Sequence, residues 1–315
     1  MIKKELTWLS TIAKSWCDRE TLGRIPHAVL LSGPVGVGKR AAATWMASRF
    51  LNIDRISPLP CHPQKPPEHA DLRWIAPLED KESIGIDQIR KLVSELSLTS
   101  YEGTGKVAVI EPANAMTDNA ANSLLKTLEE PSGTALLILV ADRSGRLPAT
   151  IFSRCQRIDF ALPGEAEGLA WLDQWQPGAN WTEALRLAGN APLAAIPALD
   201  DLDTHSSMSR DFTAIAKGQL SPLEVAARWA RFEPAFVLDW LARQVQQAIL
   251  KASGGAQSPA MQAIDDSVLR RMDRRNLFCY LDIINRLRGQ PKGSYNVQLT
   301  FESLLIDWAE GLAQR

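Results

Sequence analysis

The sequence predicts an α/β unit built on a parallel sheet, followed by a region made of helices only. Three apolar runs carry the first half of that reading: residues 27–32 (HAVLLS), 106–110 (KVAVI) and 135–141 (ALLILVA). None alternates apolar with polar residues, so each reads as a strand buried on both faces, the pattern of a parallel sheet. Helical periods lie between the runs, which is how parallel strands are connected. After Phe160 the strand signals fade and the helical period dominates.

Taken in order, Leu6, Leu9, Ala13 and Trp16 form the apolar face of a first helix packed on the core. The strand at 27–32 runs into a glycine-rich loop that opens a second helix. Residues 57–68 (SPLPCHPQKPPE) hold five prolines and are expected to form a loop without regular structure. Residues 72–76 (LRWIA) form a weaker strand. Asp87 is the expected N-cap of a helix in which Ile89, Leu92, Val93 and Leu96 share a face. Residues 117–130 form another helix, with Ala121, Leu124, Leu125 and Leu128 apolar and Pro131 as its stop. Residues 156–160 (QRIDF) give a last weak strand, and Leu162, Pro163 and Gly164 mark a boundary. Helix breaks follow at Pro177 and Gly178, at 200–207 (DDLDTHSS), at 253–255 and at 289–293. Leu238, Leu241, Val245 and Ile249 make an apolar stripe, either core or contact surface. Arg270, Arg271, Arg274 and Arg275 make a basic cluster, read by default as a solvated helix face.

Composition narrows the function classes. A chain of 315 residues suggests two or three domains at about 100–200 residues each. The net charge of −1 argues against a protein that grips DNA through its own surface. No apolar run approaches the roughly 18–20 residues of a membrane span. The first residues, MIKKEL, lack the apolar stretch of a secretory signal, so a cytoplasmic location is expected. Four cysteines without a C-x-x-C pair are expected to be reduced and mostly buried. Ten tryptophans against three tyrosines point only to core and interface use.

Residues 33–39 (GPVGVGK) fit G-x-x-x-x-G-K between a strand and a helix. Gly33, Gly36 and Gly38 would let backbone N–H groups curl around a phosphate, and Lys39 would reach its outer oxygens. The next position should carry a hydroxyl for Mg²⁺, but Arg40 stands there. The strand at 106–110 should end in two acidic residues, one for the metal and one for water. Glu111 fills the first place with a longer arm, and Pro112 fills the second. A nucleotide site and a folding turn both remain open readings of this loop; hydrolysis by the chain alone is not expected.

Five features in order resemble one family. They are the phosphate loop, the strand at 107, the helix 119–131 (NAANSLLKTLEEP), residues 147–151 (LPATI), and Ser153-Arg154-Cys155. Together they resemble the AAA+ clamp-loader subunits of bacterial DNA polymerase III, and the degraded loop resembles their non-hydrolysing delta-prime branch. The resemblance is dense from about residue 24 to 160 and looser afterwards, although 296–308 (NVQLTFESLLIDW) resembles the family's last helix. It implies an AAA+ core over 1–162, a helical lid over 163–205 and an all-α collar domain over 206–315. It implies a stator role in placing a sliding clamp on primed DNA. The implied partners are the gamma/tau and delta subunits, with the clamp and DNA met through the assembly and no membrane. It implies that Arg154 is an arginine finger acting on a neighbour's ATP; pairing with a carboxylate of its own domain is the alternative. The lid turn at 189–192 (GNAP) lacks the sensing arginine of active members, and Asp142 stands where they place a small polar sensor. Relatives that bind zinc carry four cysteines where the Pro-rich segment lies. Cys61, His62 and His69 lack that spacing, so no zinc is expected, and no other cofactor is required. The rival reading is a self-sufficient AAA+ ATPase, which Ser or Thr at 40 and Glu at 112 would favour. A third is a regulator that binds nucleotide without hydrolysing it.

Overall fold

The computed structural model describes residues 3–53, 57–79, 81–131, 133–142, 147–253, 273–290 and 293–312. The chain forms two compact units, Met1–Leu199 and Asp200–Arg315.

The first unit is built on five parallel strands: β2 (Ala28–Ser32), β4 (Leu72–Ile75), β5 (Lys106–Ile110), β6 (Ala135–Ala141) and β7 (Gln156–Asp159). Their order across the sheet is β4-β5-β6-β2-β7. Side chains alternate between faces, so each strand supplies two layers of core. Ala28, Leu30, Ala108, Ile110, Leu137 and Leu139 pack with helices α3 (Ile86–Leu96) and α4 (Asp118–Glu129). The alternate residues Val29, Leu31, Val107, Val109, Ile138 and Val140 are as fully buried, and helix α2 (Lys39–Phe50) packs over β2, β5 and β6.

Local chemistry sets the helix ends. Thr117 caps α4, its hydroxyl accepting the Ala120 N–H at 3.3 Å. Asp87 is not the N-cap of α3. Gly85 takes that position, and its N–H donates to the Gln88 side chain at 3.1 Å. Asp87 is the second residue of the first turn, where a carboxylate complements the helix dipole. Helix α1 spans Ser10–Thr21, and Leu6 and Leu9 belong to the segment before it. All four residues of the expected apolar face, Leu6, Leu9, Ala13 and Trp16, are buried. The Pro-rich segment is not wholly irregular. Cys61 and His62 form a two-residue strand, β3, antiparallel to β1 (Lys4–Glu5). Helices α6 (Glu165–Trp175), α7 (Trp181–Leu187) and α8 (Pro192–Asp200) complete this unit, with the short α5 (Ala149–Phe152) preceding β7.

The second unit is helical: α9 (Leu202–Ala216), α10 (Pro222–Trp229), α11 (Pro234–Ala252), α12 (Arg274–Arg288) and α13 (Val297–Ala309). The polar stretch at 200–207 is not a loop. Residues from Leu202 onward are the opening turns of α9, with Asp203 in the first turn and His205, Met208, Phe212 and Ile215 on its buried face. The stripe Leu238, Leu241, Val245 and Ile249 is core of this unit. Part of the tryptophan excess has its reason here. Trp308 stacks on Phe212 at 4.0 Å and donates Nε1–H to the Phe212 carbonyl at 3.2 Å. Trp229 and Trp240 pack edge to face at 5.4 Å in the same cluster. Arg274 and Arg275 open α12; Arg270 and Arg271 lie outside the described residues. Of the cysteines, only Cys61 is buried, Cys17 and Cys155 are partly covered and Cys279 is exposed, so burial is rarer than expected. Among the described residues no helix is long and apolar enough to cross a membrane.

Two outcomes follow. Trp308→Ala removes a ring buried on every side and lowers unfolding free energy by about 3–5 kcal/mol, read from urea denaturation. His205 is buried and packs edge to face on Phe236 at 5.1 Å. Burial, then the nearby Arg243 charge, pushes its pKa down to about 4. An unfolded histidine titrates near 6.5, so the unfolded chain takes up a proton that the native chain refuses between those values. Stability therefore falls as pH drops from about 6.5 toward 4. His205→Leu flattens that loss in urea midpoints compared at pH 7 and pH 5.

Candidate functional site

The chain leaves β2 toward β4 and leaves its neighbour β6 toward β7, in opposite directions across the sheet, so the crevice at their carboxyl ends is where open α/β sheets bind ligands. The glycine-rich loop starts there, and α2 follows it. Gly33 passes close to the Phe160 backbone. Gly36 has φ of 82°, and a Cβ on it would stand 2.5 Å from the Ala194 Cβ. Gly38 has φ of 99°, and a Cβ there would stand 2.7 Å from Leu6 Cδ1. Two other parts of the chain thus lean on the loop. Helix α8 docks on one side, where the Leu193 N–H donates to the Gly36 carbonyl at 3.0 Å. The N-terminal segment docks on another, where Trp8 Nε1–H donates to the Val37 carbonyl at 2.9 Å.

Lys39 is buried. Its ammonium donates to the Gly33 and Pro34 carbonyls, the first at 2.8 Å, and forms an ion pair with Asp142 Oδ1 at 3.0 Å. The Arg40 guanidinium meets Glu111 Oε2 at 3.3 Å and lies over the Trp74 ring at 5.4 Å. Burial raises the Glu111 pKa, and the Arg40 charge pulls it back. Pro112 follows with no group to activate water. These residues do not fit a magnesium nucleotide. The lysine that should hold a phosphate holds a carboxylate, and the acid that should hold a metal holds a guanidinium.

Arg154 lies just after α5, a third of its side chain exposed. It pairs with Glu129 near the end of α4, Nε donating to Oε1 at 2.8 Å. Its Nη1 donates to the Thr150 carbonyl at 3.1 Å and to Ser153 Oγ at 3.0 Å. The intradomain pairing that the sequence left open is therefore present. Arg154 is not brought together with Lys39 by any described contact.

The Pro-rich segment uses its candidate ligands otherwise. Cys61 Sγ–H donates to the Leu59 carbonyl at 3.4 Å. His62 packs against Trp175 at 5.4 Å, and burial lowers its pKa. His69 faces Glu102 at 3.2 Å. Among the described residues no cluster of His, Cys, Asp and Glu is placed to hold a metal.

The chain has identifiable relatives. A family model described as DNA polymerase III, delta subunit, matches residues 10–163. The DNA polymerase III subunit delta' of Pseudomonas aeruginosa is 31% identical over 90% of this chain and 92% of its own length. The chain belongs to the DNA polymerase III delta-prime family. The delta' subunit of Haemophilus influenzae is 29% identical over 74% of each chain. A DNA polymerase III gamma subunit-related protein from Thermotoga maritima shares the fold, with a TM-score of 0.50 and 21% identity over 98% of this chain and 99% of that one.

Within this delta-prime fold, sequence reading located the loop, Arg40, Glu111 and Arg154. It did not pair Lys39 with Asp142 or Arg154 with Glu129. Those partners are far apart in the chain and carry no spacing signal. The ladder of Trp8, Trp171, Trp175 and His62, with ring centroids 5.4–5.6 Å apart along it, was equally hidden.

Gly36→Ala tests the docking of α8. It strains a positive φ and drives a methyl into Ala194, lowering stability by about 1–3 kcal/mol in urea unfolding. Adding Ala194→Gly does not recover that loss, because the methyl still meets the Ala194 backbone nitrogen at 2.6 Å and a glycine inside α8 costs about 1 kcal/mol of its own.

Proposed function

We propose that this chain is the non-hydrolysing stator of the bacterial DNA polymerase III clamp loader and that Arg154 acts on ATP held by a neighbouring subunit. Family membership supports the clamp-loader assignment. One observation carries the division of labour. Lys39 and Arg40 of the chain's own loop face the carboxylates Asp142 and Glu111, and a proline follows Glu111, while Arg154 reaches the surface beside Glu129 with a third of its side chain exposed. The neighbours that fit are the gamma/tau and delta subunits. The sliding clamp and primed DNA are met through the assembly. A self-sufficient ATPase would need a hydroxyl at 40 and an acid at 112, and Arg40 and Pro112 stand there instead.

Glu129 gives Arg154 a defined starting orientation. Arg154 is a third exposed and Glu129 half exposed, so water screens the pair. A phosphoryl group gathering charge offers the planar guanidinium a stronger partner than one carboxylate does. The arginine can thus exchange Glu129 for the neighbour's γ-phosphate without losing its bond to the Thr150 carbonyl.

The test is ATP turnover by the reconstituted clamp loader on primed DNA with its clamp. The isolated chain should be silent. Arg154→Ala should lower turnover at the neighbouring site by about tenfold or more, with assembly confirmed by gel filtration. Glu129→Gln should retain most of the rate. Equal losses from both substitutions would mean that Arg154 serves only the ion pair.

A further inference from the structure

We propose that the open edge of β7, beside α1, is a docking site for an extended acidic segment of a partner protein, which adds to the sheet as a further strand and seats an aliphatic side chain in the cleft between the two elements. The cleft holds about 230 Å³ and is walled by Ile12 and Trp16 of α1 and by Arg157 and Ile158 of β7. Successive side chains of a strand point to opposite faces. Arg157 and Ile158 both reach the cleft, so it lies across the edge of the sheet and not over one face. β7 is the last strand in the order β4-β5-β6-β2-β7, so that edge pairs with no strand among the described residues.

The backbone at this edge is available. In a parallel pair alternate residues turn their N–H and C=O toward the neighbouring strand. The register sets Ile158 opposite Leu31, and Phe160 donates its N–H to the Ser32 carbonyl at 2.7 Å. Phe160 and Ile158 therefore face β2, and Arg157 and Asp159 turn outward. The Arg157 carbonyl meets the Gln156 side-chain amide of its own strand at 3.5 Å. An edge of this kind takes up an extended segment through main-chain hydrogen bonds, and the side-chain pockets beside it choose the segment.

Charge makes that choice here. No carboxylate lines the cleft; Arg19 and the hydroxyls of Thr11 and Ser15 complete it. Arg19 is partly exposed, and its guanidinium has no ion pair among the described residues. Arg157 pairs with Asp159 at 3.2 Å, but both side chains are more than half exposed, so water screens the pair. Trp16 is 1% exposed, and its indole N–H has no acceptor among the described residues. A buried donor without a partner is costly. A segment that brings carboxylates to these donors and an aliphatic side chain to Ile12 and Ile158 supplies what the cleft lacks. Neither Arg154 nor the glycine-rich loop lines the cleft, so the outcome leaves the proposed function untouched.

The experiment is titration of the full chain with a labelled peptide that alternates valine with glutamate, read by fluorescence anisotropy, together with hydrogen exchange at the Arg157 and Asp159 amides. The comparison peptides alternate valine with lysine, or carry N-methyl groups on alternate amides of the acidic sequence. We expect saturable binding of the acidic peptide, slower exchange at both amides, and about tenfold weaker binding to Arg19→Glu, with circular dichroism confirming its fold. We expect Arg19→Glu to gain binding of the lysine peptide, which the wild type does not bind. No binding of the acidic peptide at millimolar concentration would overturn the proposal; the edge is then one that its own charges keep unpaired. Equal binding of the N-methylated peptide, or unchanged exchange at Arg157 and Asp159, would overturn strand addition. Equal affinity of the wild type for the lysine peptide, or of folded Arg19→Glu for the acidic one, would overturn the acidic partner. Should Arg19→Glu not fold, the acidic and lysine peptides compared on the wild type decide alone.

Discussion

The buried ammonium of Lys39 is the constraint on which the rest of the first unit depends. A cation taken out of water needs its donors satisfied close at hand. Here two backbone carbonyls of the loop and one carboxylate from beyond β6 do so. That arrangement ties the end of β2 to the end of β6 and fixes the path of the loop that leads from β2 into α2. With its path fixed, the loop presents Gly36 to α8 and Gly38 to the N-terminal segment. The segment in turn carries Glu5, whose carbonyl accepts the Trp171 indole N–H of α6 at 2.8 Å. One satisfied charge is thus linked through backbone contacts to both ends of this unit.

The same sheet separates two kinds of arginine chemistry. Arg40 begins α2 directly after the loop and is spent on Glu111 at the end of β5. Arg154 follows α5 on the connection into β7 and is held only by half-exposed or backbone groups. The first guanidinium neutralises the chain's own site. The second is tied to its own unit by Glu129, the Thr150 carbonyl and Ser153 Oγ, and still reaches the surface.

Much of this was legible in the sequence. Strands buried on both faces announce themselves as unbroken apolar runs, and β5 and β6 match those runs residue for residue. Thr117 reads in the sequence as the first residue of its helix and is instead its N-cap, one position outside, where its hydroxyl accepts the Ala120 N–H. Asp87 misled for a related reason: acids favour both the cap and the first turn, and only the backbone distinguishes them. The stretch at 200–207 misled because the exposed opening of an amphipathic helix and a loop share a composition. What was not legible is what the sequence places far apart. Glu129 lies 25 positions from Arg154, and nothing in either neighbourhood names the other.

The loop itself shows why a motif match identifies geometry before it identifies cargo. Glycines at 36 and 38 are required here whether or not a phosphate ever arrives. Each has a positive φ that L side chains rarely adopt, and each faces another part of the chain too closely for a Cβ. Lys39 is likewise required, since removing it would leave Asp142 and two loop carbonyls without their shared donor. The residues that decide what the loop holds lie outside the pattern, at Arg40, Glu111 and Asp142. Two of them come from strand ends distant in sequence. A phosphate-loop pattern therefore reports a strand, a tight turn and a helix; its ligand is read from the charges that the neighbouring strands bring to it.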